Sequence, residues 1–259
     1  MVSQTETTVA LITGASRGIG KAVALRLAKK NIEVILNGRT KEPLEAVREQ
    51  ILSSGGRARV EIADLADLEQ VVALAERIGD VDILVNNAAS PEKYISVLAD
   101  EDEHWSKTTN ILMWAPVRLT RILARGMRER KTGVIVNITS VNSQFHAPYL
   151  APYCMSKAAL ETFTRCAAME LAPHGVRINA VAPGIIHTEL TEELLGDMLN
   201  HLQGVIPAGR AGKPDEVASL VEYLCSEDAA YINGAVYNMD GGMILGNFSQ
   251  AQKRAAEVE

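Results

Sequence analysis

The 259-residue sequence predicts an α/β fold, a doubly wound parallel sheet in a single domain. Three observations carry that expectation. Short runs nearly continuous in Val, Ile and Leu alternate with stretches of helical spacing, and strands apolar on both faces belong to a parallel sheet covered by helices on each side. The residues of unusual chemistry fall at the C-terminal ends of those runs, where such sheets bind ligands. No composition break, linker or repeat divides the chain.

The first strand, Val9–Thr13 (VALIT), leads into a glycine cluster. Ile19, Val23 and Leu27 then mark one stripe of a helix over Ile19–Lys30, with Lys29 and Lys30 suited to its C-terminal end. Glu33–Leu36 reads as the second strand and Glu42–Leu52 as a helix through Leu44, Val47 and Ile51. The alternation continues with strand Arg59–Ala63, helix Leu68–Ile78, strand Asp82–Asn86 and a long helical stretch, Glu101–Arg130. Strand Gly133–Thr139 is followed by a helix over about Pro152–Leu171. Strand Arg177–Val181, helix Pro214–Cys225 and strand Ala235–Asn238 complete the pattern. Right-handed crossovers make it a doubly wound sheet.

Bulk properties exclude several functions. The net charge of −6 argues against a nucleic-acid binder, which carries a basic face. No run approaches about 18 apolar residues, and Met1–Thr8 is polar, so neither a membrane span nor a secretory signal is expected. Cys154, Cys166 and Cys225 form no C-x-x-C pair, and an odd, scattered set suits free thiols in a reducing cytoplasm. No carboxylate cluster or His pair suggests a metal site. The polar tail Ser249–Glu259 is expected to be disordered.

Directly after the first strand stands Thr13-Gly14-Ala15-Ser16-Arg17-Gly18-Ile19-Gly20. Its spacing, G-x-x-x-G-x-G, meets the demands of a pyrophosphate site: a tight turn, a bare backbone and a helix N-terminus with free N–H groups. The second strand ends Asn37-Gly38-Arg39-Thr40, where an NAD enzyme usually has a carboxylate for the ribose 2′-hydroxyl. No acid stands there, and Arg39, with Arg17 from the loop, suits a 2′-phosphate; the expected cofactor is therefore NADP(H). The alternative is that both arginines are solvated surface groups. Asp64-Leu65, just after the third strand, would bracket the adenine, unless Asp64 is a helix N-cap.

Tyr153-Cys154-Met155-Ser156-Lys157 opens the long helix after the fifth strand and places Tyr153 and Lys157 on one helical face. Alone the spacing carries little. Ser140, at the end of the fifth strand, and Asn86-Asn87-Ala88-Ala89, at the end of the fourth, converge on the same edge of the sheet. Asn110 lies inside the long helix that follows.

On these motifs the chain resembles the short-chain dehydrogenase/reductase family over about Thr8 to Leu245, with the motifs in the family's order and spacing. The resemblance implies a Rossmann-like fold and assigns the cofactor loop to Gly14, Ser16, Arg17, Gly18, Ile19 and Gly20. It makes Tyr153, Lys157, Ser140 and Asn110 the catalytic set, with Tyr153 and Lys157 also touching cofactor. The family's Asn-Asn-Ala-Gly motif maps to Asn86–Ala89, bringing Asn86 and Ala88 to the cofactor, with Ala89 replacing the usual glycine. Pro183-Gly184 matches the motif after the sixth strand, and Ile186 and Thr188 stand where the family binds the nicotinamide carboxamide. The family's usual assembly is a tetramer built through the long helices that hold Asn110 and Tyr153, so a homotetramer is expected.

The chemistry follows from the residues. Hydride delivered to a carbonyl carbon leaves an alkoxide that needs a proton from a placed acid. Free tyrosine titrates near ~10, too high for exchange at neutral pH. An ammonium about 5 Å away, at an effective dielectric near 20, supplies roughly 3 kcal/mol, or about two pK units downward. Ser140 gives the second hydrogen bond to the substrate oxygen. Asn110 resembles the family residue that holds a water linking Lys157 to solvent; it is equally a helix-kink residue bonded to backbone, and the two roles coexist.

The substrate pocket is expected between Val141–Tyr149, with Asn142, Gln144, His146 and Tyr149, and Ile185–His201, with His187, Leu190, Leu194 and Leu195. The stretch from Val205 closely resembles bacterial 3-oxoacyl-acyl-carrier-protein reductases, and the resemblance implies a small-molecule or acyl-thioester substrate. Arg125, Arg128, Arg130 and Lys131 would receive an acidic carrier protein, although a solvated helix end explains them as well. A non-catalytic nucleotide sensor of this fold would lack Tyr, Lys or Ser, and all are present. An enoyl reductase resembles a Tyr-x6-Lys arrangement, and the corresponding position is Leu150. A sugar-nucleotide epimerase would need a longer C-terminal region.

Overall fold

Seven strands form one parallel sheet in the computed structural model, which describes residues 7–89, 93–197, 199, 202 and 205–246. They are β1 (Val9–Thr13), β2 (Glu33–Gly38), β3 (Arg57–Ile62), β4 (Ile83–Asn86), β5 (Gly133–Ile138), β6 (Val176–Pro183) and β7 (Val236–Met239). Their order is β3-β2-β1-β4-β5-β6-β7, and every neighbouring pair is parallel. From β1 the chain winds outward through β2 and β3, then returns to β4 on the other side of β1. The reversal opens a crevice beyond the C-terminal ends of β1 and β4. The tail Ser249–Glu259 lies outside the described residues.

The helices are α1 (Gly18–Ala28), α2 (Lys41–Ser53), α3 (Leu68–Ile78), α4 (Asp102–Thr109), α5 (Ala115–Arg130), α6 (Ala151–Leu171), α7 (Glu189–Leu195) and α8 (Pro214–Cys225). Alternate strand residues send their side chains to opposite faces. Ala10 and Ile12 of β1, Val34 and Leu36 of β2, and Ile83 and Val85 of β4 pack under α1, α2 and α8 through Val23, Leu27, Leu44, Val47, Val217 and Val221. Leu11, Ile35 and Leu84 face the other way, against Val71 and Leu74 of α3 and Leu119, Leu123 and Met127 of α5. Both faces are thus dry, as the continuous apolar runs require.

Several elements differ from the sequence-based expectation, β2 and β6 by running two residues further and α7 by not being expected, and two differences are instructive. β3 spans Arg57–Ile62 rather than Arg59–Ala63; as an edge strand it is only half-buried, and its polar residues mask the start. The stretch Glu101–Arg130 is not one regular helix. A π-helical turn, Asn110–Trp114, joins α4 to α5, with the Ala115 N–H donating to the Asn110 carbonyl. Pro116 lies in the first turn of α5 and has no N–H to return to the preceding turn, and the wider turn accommodates it.

Candidate active site

The glycine-rich loop is shaped by local backbone needs. Gly14 and Gly18 hold left-handed conformations, with φ of 64° and 54°. A Cβ on Gly20 would sit 2.2 Å from the Gly14 carbonyl oxygen, so only glycine lets α1 start this close to the turn. Arg17 is the N-cap of α1 but makes no side-chain cap, and the first turn holds no acid. Among the described residues no side chain caps the leading N–H groups of α1, and Gly18 and Ile19 line the crevice, as an anion site requires.

The loop is tied to the end of β4 by two residues. Thr13 Oγ1 accepts from the backbone N–H groups of Asn87 (2.9 Å) and Ala88 (3.0 Å). The Asn87 amide donates to the carbonyls of Thr13 (2.9 Å) and Gly14 (3.2 Å). Asn87, rather than Asn86, is the residue that reaches the loop. The Asn86 side chain turns into the sheet and donates to Asn137 Oδ1 at 2.8 Å, and Asn137 donates on to Thr164 of α6 at 2.8 Å. Asn86 thus does not line the cleft; it joins β4, β5 and α6 from behind.

A cleft of about 460 Å³ runs along the C-terminal edge, within the range of small-molecule sites. Gly14, Ser16, Arg17, Gly18, Ile19, Asn37, Arg39, Asp64, Leu65, Ala88, Ser140, Tyr153, Lys157, Ile186 and Thr188 all line it. Of the remaining expected residues, Gly20 packs behind the loop. Asn110 stands one residue behind Ile111, which does line the cleft, and its amide donates to the Ala66 carbonyl at 2.9 Å. That is the backbone-bonded kink reading of Asn110.

At the adenosine end Asn37 is fully buried, and its Nδ2 donates to the Glu61 carbonyl at 3.1 Å. Its Oδ1 has no hydrogen-bond partner. A buried acceptor without a donor at the rim of a cleft fits a ribose hydroxyl. Arg39 stands exposed at the same rim. Arg17 is paired at 3.1 Å with Glu193 of α7, both well exposed. Asp64 is not a helix cap: Asp67 caps α3, accepting from the N–H groups of Glu69 and Gln70. Instead Asp64 Oδ1 accepts from the Ala66 N–H at 3.0 Å, within the turn that presents Leu65.

At the other end, α6 and β5 bring the acid–base candidates together. Lys157 is 4% exposed, and its ammonium donates to the Ile138 carbonyl at 2.8 Å, 5.8 Å from the Tyr153 ring centroid. Ser140 follows β5 and begins a short 3-10 turn, Val141–Ser143. Its Oγ accepts from the Asn142 N–H at 3.2 Å, which leaves its hydroxyl proton to point elsewhere. Ile186 and Thr188 are fixed by a capping box: Thr191 Oγ1 bonds the Ile186 carbonyl (2.6 Å) and the Thr188 N–H (2.8 Å).

The substrate side is more apolar than the sequence reading. Asn142, Leu190, Leu194 and Leu195 line the cleft as expected, joined by Tyr94, Phe145, Leu150 and Met243. Gln144 turns out to Asn238 and His146 to the Asn142 carbonyl, and His187 pairs with Glu192 at 2.6 Å. Tyr149 is exposed and does not line it, and His201 lies outside the described residues. Phe145 had a signal, an aromatic in the loop after Ser140; Tyr94 and Met243 arrive from distant loops and had none.

Known proteins resemble this chain over most of its length. The family model described as "Enoyl-(Acyl carrier protein) reductase" matches residues 14–244. A 3-oxoacyl-[acyl-carrier-protein] reductase of Synechocystis is 37% identical over 243 residues, 92% of this chain and 97% of that protein. Among solved structures, a "short chain dehydrogenase/reductase family protein" superposes with a TM-score of 0.83 at 35% identity, covering 90% of this chain and 96% of the other. A putative NAD(P)-dependent gluconate 5-dehydrogenase from Beutenbergia cavernae, solved with bound NADP at low occupancy, gives 0.88 at 34% identity, covering 92% and 97%. The chain belongs to the short-chain dehydrogenase/reductase family of oxidoreductases.

Proposed function

We propose that this protein is an NADP(H)-dependent reductase of ketones, or dehydrogenase of secondary alcohols, with Tyr153 as the general acid and base. The observation that carries the reading is the meeting of Tyr153, Lys157 and Ser140 in one cleft, continuous with an uncapped helix N-terminus and glycine-rich loop. NADP(H), when bound, supplies or takes the hydride. The loop and the N-terminus of α1 hold its pyrophosphate, Asn37 Oδ1 takes a ribose hydroxyl, and Arg39 takes the 2′-phosphate, with Arg17 assisting once it leaves Glu193. Ile186 and Thr188 hold the nicotinamide end. Ser140 donates to the substrate oxygen, and the Tyr153 hydroxyl gives that oxygen its proton. Lys157 lies beneath the Tyr153 ring as a buried cation, favouring the phenolate that remains.

The relatives support a narrower reading, a 3-oxoacyl thioester as substrate. The wall of Tyr94, Phe145, Leu190, Leu194, Leu195 and Met243 suits an acyl chain better than a polyol. An enoyl reductase is the weaker reading, because Leu150 is buried where that arrangement needs a tyrosine. Of the basic group that would receive a carrier protein, Arg130 is committed to Asp80 and the Val81 carbonyl, leaving Arg125, Arg128 and Lys131 exposed. We place the enzyme in the cytoplasm, which suits three free cysteines, as a homotetramer. Trp114 in the π-turn before α5 and Met155 on α6, 46% and 57% exposed, support that assembly.

The test is a panel of acetoacetyl-coenzyme A, ethyl acetoacetate and a keto-gluconate, each with NADPH and with NADH. NADPH-dependent reduction of the acetoacetyl substrates, ahead of the keto-gluconate, is expected. Failure to reduce any ketone, or equal use of NADH, would contradict the proposal.

A further inference from the structure

The charged side chain buried deepest beside the cleft, apart from Lys157, has no part in the proposed chemistry. Glu161 is 4% exposed and stands on α6 at the position that continues the series Tyr153, Lys157, Glu161, four residues apart and therefore on one helical face. A carboxylate is expensive to bury and persists only where donors meet it. Glu161 Oε1 meets two, Thr139 Oγ1 at 3.2 Å and the Ser143 hydroxyl in a shorter contact, and Arg165 approaches Oε2 at 3.7 Å from the exposed side. Thr139 and Ser143 are not arbitrary partners. They flank Ser140: one precedes it on the chain, and the other closes the 3-10 turn that Ser140 begins, with its own hydroxyl 2.7 Å from the Ser140 carbonyl.

We infer that Glu161 is a positioning residue, which clamps the turn carrying Ser140 onto the helix carrying Tyr153. Three side chains on that helix grip successive points of β5 and the residue after it. Thr164 takes the Asn137 amide, Lys157 bonds the Ile138 carbonyl, and Glu161 takes the Thr139 hydroxyl. Glu161 alone also reaches across to Ser143, so it alone holds both sides of Ser140. A donor and an acid that act on one substrate oxygen must keep a fixed separation, and small errors in such geometry cost rate rather than folding. The inference rests on the reading that Ser140 binds the substrate oxygen.

Removing the carboxylate should leave the fold intact, because both hydroxyls have second acceptors in reach. These are the Val181 carbonyl, 3.2 Å from Thr139 Oγ1, and the Ser140 carbonyl for Ser143. The experiment compares Glu161→Leu, Glu161→Gln, Ser140→Ala and the Glu161→Leu/Ser140→Ala double variant. It measures kcat on the best ketone of the panel above and the Kd for NADPH. Glu161→Leu should lower kcat at least about tenfold with the NADPH Kd within about twofold. Glu161→Gln keeps a carbonyl oxygen for both hydroxyls and should retain most of the rate. In the Ser140→Ala background, Glu161→Leu should cost less than about twofold, because the residue through which it acts is gone.

A Ser140→Ala enzyme as fast as wild type defeats the reading of the site itself, whatever Glu161 does. With Ser140→Ala impaired, a Glu161→Leu enzyme of normal kcat overturns the inference. A Glu161→Leu cost as large in the Ser140→Ala background as in wild type, or a Gln variant as slow as Leu, overturns it equally. If Glu161→Leu does not fold, Ser143→Ala takes its place. It keeps the carboxylate bonded to Thr139 while releasing the far side of Ser140, and the same dependence on Ser140 is expected.

Discussion

Asn37 and Arg39 sit at the end of β2 where a carboxylate would repel a 2′-phosphate, and their side chains differ in what they offer. The buried Asn37 keeps an unpartnered acceptor, while Arg39 extends a guanidinium from the exposed rim. A charge-assisted hydrogen bond is worth about 1.5–3 kcal/mol, so Arg39→Ala should raise the KM for NADPH roughly ten- to a hundredfold. The KM for NADH should hardly change. Steady-state kinetics with both cofactors decides it, and equal changes for the two would remove Arg39 from the 2′-phosphate. At this scale residue type was legible in the sequence, but direction was not. Asn86 and Asn87 are neighbours at a strand end, where successive side chains point to opposite sides. Only the register, with Asn86 paired to Asn137 of β5, shows that Asn87 faces the loop and Asn86 faces the core.

Elements long enough to display a period were legible, and short or interrupted ones were not. α7 has seven residues, fewer than two turns, so no apolar stripe can announce it. Its one local signal is the Thr188/Thr191 capping box, which lacks the usual Glu or Gln. The π-turn at Asn110 was hidden because Pro116 is compatible with the start of a helix as well as with a break. The same cleft wall depends on a clamp farther along the chain. Gly212 pairs with Ile185 and His187 through N–H···O bonds of 2.9 and 2.8 Å, and Arg210 beside it grips Glu216 of α8 with two bonds of 2.9 and 2.7 Å. Arg210, followed by the Lys213 N–H, pulls the Glu216 carboxyl down to about 2. Its folded value lies below its unfolded one, so the contribution to stability is full above about 4.5 and is lost as pH falls through about 2. Urea titrations across that window should show a shallower fall for Glu216→Gln than for wild type. Parallel curves would mean that the clamp adds nothing to the fold.

For the whole molecule, alternation of apolar runs and helical stripes was sufficient for a doubly wound parallel sheet, because each strand must be covered on both faces. Strand order was not readable, since it is set by which edges pair across long crossovers. The order β3-β2-β1-β4-β5-β6-β7 is what brings loops from opposite ends of the chain, Gly14–Gly20 and Ile186–Thr188, to one cleft. The polarity of the substrate wall was misjudged for a related reason. Gln144, His146 and His187 bond Asn238, the Asn142 carbonyl and Glu192 and do not line the cleft, while Tyr94 and Met243 enter it from loops far along the chain. In the proposed function this assembly places one phenol to give one proton. Tyr153→Phe keeps the ring and its packing and removes only the hydroxyl. Its NADPH affinity should match wild type, and its kcat should fall by about two to four orders of magnitude, the usual worth of a placed general acid. A Tyr153→Phe enzyme that keeps more than about a tenth of wild-type kcat would show that the proton comes from elsewhere.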